Sequence, residues 1–123
     1  MEISHKIRKY RIKDSGWEIQ GLLADISQEP VEENFRAFLD SVAKLTAMDA
    51  DLNIFRFAAG REFGFYTLKF LAALGNEKLR PSALIVGPDR EKFLSKFSLA
   101  GLFILGKDET EVLKKFARRE FGV

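Results

Sequence analysis

The sequence contains no cysteine, one histidine and no apolar run approaching membrane-spanning length. Without cysteine there is no disulfide, no thiol nucleophile and no thiolate metal site, which fits a reducing compartment. A lone His5 is too little for a zinc centre or for histidine-based acid–base chemistry. The apolar runs fall far short of the ~20 residues that cross a bilayer. Met1 is followed by charged residues instead of an apolar core. The expectation is therefore a soluble, cytoplasmic chain without a leader or membrane contact. Neither a Walker pattern nor a GxGxxG run is present, so no cofactor is expected. Lys and Arg total 20 against 18 Asp and Glu, and a net charge of +2 is too small to argue for nucleic acid.

What is present is a chain of 123 residues with a 46% hydrophobic fraction. That is enough for one domain, residues 1–123, burying roughly 65% of the surface its unfolded form exposes. Ile3 to Ile12 reads as an exposed strand, with Ile3, Ile7, Tyr10 and Ile12 set among Lys6, Arg8, Lys9 and Arg11. Such a basic run protects a sheet edge from pairing with other chains. Lys13-Asp14-Ser15-Gly16 supplies turn chemistry, and Trp17 to Ala24 follows as the second arm of an antiparallel hairpin. After a loop from Asp25, Pro30 suits the first turn of a helix, Val31 to about Ala47, whose Phe35, Phe38, Leu39 and Val42 make an apolar face.

Leu52 to Leu74 carries the organising unit. Leu52 to Phe57 is a buried strand, a turn containing Gly60 and Gly64 follows, and Thr67 to Leu74 is helical, with Phe65, Leu68, Leu71 and Ala72 as its buried stripe. Gly75-Asn76 is expected to close this helix through a left-handed residue. Ser82 to Gly87, between Pro81 and Pro88, reads as a buried strand, and Asp89 as the cap of a helix carrying Phe93, Leu94 and Phe97. Leu102 to Leu105 is a last strand. Asp108-Glu109-Thr110-Glu111, close to a capping box, opens a helix whose inward residues are Val112, Leu113 and Phe116. The fold class is α/β with the order ββαβαβαβα, a mixed, mainly parallel sheet covered by helices.

The turn before the second helix is the candidate site. Arg61, Glu62, Phe63, Gly64, Phe65 and Tyr66 place three aromatics beside two charged groups, the composition of a small protein-binding patch. Phe63 and Phe65 can equally cap the core beneath the helix. A second reading uses Gly60, Arg61 and Gly64 to hold an anion or nucleotide on backbone N–H groups. Asp25, Glu29, Asp49 and Asp51 lie in loops that could approach one end of the sheet, but no partner base or metal cluster accompanies them. An enzyme is not expected.

The order of elements, the strand–turn–helix at Leu52 to Leu74, the strand Ala83 to Val86 and the segment Leu99-Ala100-Gly101-Leu102-Phe103 together resemble the STAS family over nearly the whole chain. That family includes bacterial anti-sigma factor antagonists and the cytoplasmic domains of sulfate transporters. The resemblance implies a non-enzymatic regulator of transcription acting by protein–protein interaction, with an anti-sigma factor that is also a serine kinase as partner. It also implies a contact face of the glycine turn, the start of the second helix and the loop from Asp25 to Gln28. In regulatory members, a serine in the turn before the second helix is phosphorylated. Counting back without gaps from Gly101-Leu102-Phe103 puts Gly64 at that place. Glycine has no oxygen to modify, so a switch at the usual position is not expected, and Tyr66 and Thr67 are the nearest hydroxyls.

Overall fold

The hairpin that opens the chain is set by its turn. In the computed structural model, which describes residues 2–76 and 82–123, Asp14 and Gly16 both take positive φ. The Ile12 N–H donates to the Trp17 carbonyl at 2.8 Å, and the Ser15 hydroxyl donates to the Ile12 carbonyl at 2.8 Å. Strands β1 (Ser4–Arg11) and β2 (Glu18–Ile26) then pair antiparallel. Three parallel strands follow, β3 (Leu52–Phe57), β4 (Ser82–Ile85) and β5 (Ile104–Gly106), in the sheet order β1-β2-β3-β4-β5. The helices are α1 (Phe35–Thr46), α2 (Phe65–Gly75), α3 (Pro88–Lys96) and α4 (Glu109–Phe121). This is the α/β order expected from the sequence, with the mixed, mainly parallel sheet.

Strand alternation divides the core in two. Leu22, Ala24 and Ile26 of β2 and Phe55 and Phe57 of β3 face one side, where Phe38 and Val42 of α1, Phe70, Leu71 and Leu74 of α2 and Leu94 of α3 pack. Consecutive parallel strands that are also neighbours force their crossovers to a single side. Leu23, Leu52 and Ile54 point to the other side, against Val112 and Phe116 of α4. Helix α4 thus covers the second face of the sheet.

Several local expectations give way to packing. Pro30 does not enter the first turn of α1: a single 3₁₀ turn, Glu32–Asn34, intervenes. The stripe of α2 is rotated, with Thr67, Phe70, Leu71 and Leu74 buried and Phe65 exposed, because the helix starts at Phe65 with Gly64 as its cap. Gly75 remains helical and Asn76 is right-handed (φ −86°), so neither of the two residues expected to close α2 is left-handed. Gly75 serves a close approach instead, since a Cβ there would lie 2.7 Å from Leu102 Cδ1. Gly87, not Asp89, caps α3, since Pro88 takes the first helical position. The final strand starts at Ile104 because residues 100–102 form a 3₁₀ turn. At α4 the Asp108 carboxylate accepts from the Glu111 N–H at 2.8 Å, while the Glu111 carboxylate pairs with Lys115 at 3.5 Å instead of reaching back to the cap. Pro81, expected to bound β4, lies outside the described residues. Among the described residues, no helix is long and apolar enough to cross a membrane.

Candidate functional site

Because β2 to β5 run parallel, the loops leaving their C-terminal ends converge, and one buried cation ties three of them together. Arg90, in the first turn of α3, is 6% exposed. Its Nε donates to the Glu62 carbonyl at 3.1 Å, its Nη1 donates to the Ala58 carbonyl, and its Nη2 donates to Glu29 Oε2 at 3.1 Å. The guanidinium also lies 4.3 Å from the centroid of the Phe63 ring. Gly60 is needed beside it, since a Cβ at that position would stand 2.7 Å from Arg90 Nη2. The other Glu29 oxygen accepts from the Gly64 N–H at 2.8 Å, which sets a carboxylate at the positive end of α2.

This frame sorts the aromatics of the turn. Phe63 is 5% exposed and meets Phe57 edge-on at 4.9 Å, so it belongs to the core and not to a contact face. Phe65, two residues on, is 67% exposed. Its ring lies 5.1 Å from Tyr66, which lies 5.1 Å from Phe35 of α1, and Lys69 Nζ sits 5.6 Å from the Phe35 centroid. Phe65, Tyr66 and Phe35 thus form a continuous aromatic ridge across α2 and α1. Arg61 and Glu62 are exposed in the same turn.

Asp25 is not part of this ridge. Strand parity sends it to the α4 side, where Arg56 grips it with two bonds of 2.5 and 3.0 Å. Arg56 also reaches Glu109 at 3.7 Å, and Glu109 accepts from Tyr10 at 3.0 Å and from Arg8 at 3.2 Å. The bonds to Asp25 raise the Arg56 pKa further. Burial, followed by the hydrogen bond to Glu109 and its charge, pushes the Tyr10 phenol from 10.0 to about 12. Folded Tyr10 therefore holds a proton that the unfolded chain releases, and the stability this contributes is present below pH 10 and lost as pH rises toward 12. With Tyr66→Phe removing the other of the two tyrosines, the phenolate absorbance of Tyr10 should appear near pH 12 and move down on Glu109→Gln; appearance near 10 with Glu109 intact would contradict the contact.

The four loop carboxylates do not share one end of the sheet. Asp25, expected in a loop, is the penultimate residue of β2 because the strand runs on to Ile26, and Glu29 follows it, whereas Asp49 and Asp51 precede β3 at the opposite end, where Asp51 accepts from the Gln20 N–H at 2.8 Å. The anion reading is divided as well. Gly60 and Arg61 line a cleft of about 680 Å³ with Arg56, Gly87, Asp89 and Lys107, but Gly64 is outside it and its N–H is already engaged by Glu29. Among the described residues, no group of three or more His, Asp or Glu is placed to hold a metal. The residues that sequence reasoning missed are Arg90, and Glu29 in its role as a cap. Sixty-one positions separate them, and no local pattern joins the two.

Comparison with protein-family models, with curated proteins and with solved structures finds no match for this chain.

Proposed function

We propose that the chain is a STAS-like, non-enzymatic regulator of the bacterial cytoplasm that works by binding another protein, most simply as an antagonist of an anti-sigma factor of the serine-kinase type. The observation that carries this reading is the exposed Phe65 beside Tyr66 and Phe35 at the start of α2. A large apolar ring held out by a rigid helix start, rimmed by Arg61, Glu62 and Lys69, has the make-up of an anchor with a polar border. The order of elements agrees with the resemblance. Gly64 offers no oxygen, and the Glu29 carboxylate already occupies the helix terminus beside it, so partner binding is not switched by phosphorylation at residue 64.

The test is capture of the partner by the full chain from its source cells, identification of what is retained, and hydrogen exchange on the complex. Slowed exchange over residues 58–66 and the start of α1 is expected. Protection confined to β1, or phosphate found on Tyr66 or Thr67 of the captured chain, would overturn the reading.

A phosphate-bearing ligand is the second reading, favoured by one observation: Arg61 and Lys107 line the same cleft at the ends of the parallel strands. A rise in melting temperature with nucleotide, abolished by Arg61→Gln with Lys107→Gln, would support it.

A further inference from the structure

The opposite end of the sheet carries a second aromatic feature, independent of the ridge. Trp17, the one tryptophan of the chain, is 62% exposed although its backbone is fixed on both sides. Its N–H donates to the Ser15 hydroxyl at 3.0 Å and its carbonyl accepts from Ile12. The ring lies 6.2 Å from Phe121, the last residue of α4, and Phe121 lies 6.1 Å from Phe116. Trp17, Phe121, Phe116 and Ile19 enclose a recess of about 410 Å³, and Ile19 and Phe116 are buried. The remaining lining residues, Glu18, Asp51 and Glu120, are all acidic, and among the described residues no lysine or arginine lines the recess.

Each part of this recess prefers a positive charge. Aromatic faces attract cations through their quadrupole. The Asp51 carboxylate accepts from the neutral Gln20 N–H at 2.8 Å, and Glu120 is only weakly engaged, 3.6 Å from the exposed Arg119. The C-terminal end of α4, which closes at Gly122 with φ 70°, adds the negative end of a helix dipole. An apolar cavity with an anionic rim is poorly matched to an inorganic cation, which would lose its hydration without gaining ligands. It suits a cation that carries its own apolar surface. The volume lies within the range of small-molecule sites, about 300–1,000 Å³.

We propose that this recess binds a small organic cation of the quaternary-ammonium class. Trp17 is its own reporter, since no other tryptophan contributes to the emission. The full chain is titrated with choline and with tetramethylammonium, using the uncharged carbon isostere of choline and potassium chloride as controls. The expected result is a saturable change in Trp17 emission with both ammonium ions and none with either control. Glu18→Gln with Glu120→Gln, both at exposed positions, should weaken the midpoint about three- to tenfold, and Phe121→Leu should weaken it similarly. Equal saturation by the uncharged isostere would make the recess merely apolar and overturn the proposal. So would no saturation by about 100 mM, a hundredfold weaker than a millimolar site. Response to a lysine-rich peptide alone would make the recess a partner surface. A shift with protein concentration alone would assign Trp17 to contact with a second copy. Either outcome would equally overturn a small-molecule site.

Discussion

Arg90→Ala should lower the free energy of unfolding by about 3 kcal/mol, read from urea denaturation. Removing one partner of a buried ion pair costs about 3–5 kcal/mol, and the lower end applies because the Glu29 side chain is 31% exposed. The same substitution leaves the Ala58 and Glu62 carbonyls without their donor and withdraws the cation from the Phe63 ring. Arg90→Lys should recover less than half of the loss, because a single ammonium cannot serve three acceptors in one plane. A loss under about 1 kcal/mol for the alanine variant would mean that the three loops hold one another without the guanidinium.

Phe63→Ala should cost about 3–4 kcal/mol, whereas Phe65→Ala should stay within about 0.5 kcal/mol of the parent. The two rings are two residues apart and chemically identical, so the contrast isolates burial: 5% exposed against 67%. Phe63 fills space between Phe57 and Arg90, and its removal leaves a cavity that the sheet end cannot close by rotation of one side chain. Because Phe63 and Arg90 touch, Phe63→Ala and Arg90→Ala together should cost less than the sum of the two. Equal losses for Phe63 and Phe65 would place both rings in the core and remove the ridge.

The element order was legible because it rests on signals within a few residues of each other: alternating strands, glycine and proline punctuation, and an Asp108 cap ahead of an apolar stripe. The exposure of Phe65 was not, because it depends on where α2 begins, and a shift of one residue turns a helix face by about 100°. The side taken by Asp25 follows from its parallel register with Arg56, a pairing 31 residues away that no periodicity reveals. The Glu29–Arg90 tie is longer-range still. Glu29 was visible only as one of several loop carboxylates, and nothing local singled out Arg90. Trp17 read as the first residue of a strand, but the structure leaves it in the turn, and its nearness to Phe121 is set by α4 folding back across the second face.

The most direct measurement is binding of the captured partner by Phe65→Asp, made alongside thermal unfolding of the same variant. A charge placed at the tip of the ridge should weaken capture at least about tenfold, as loss of an interface anchor does, while the melting temperature stays within about 2 °C of the parent. Undiminished capture by a folded Phe65→Asp chain would show that the partner docks elsewhere and would contradict the account.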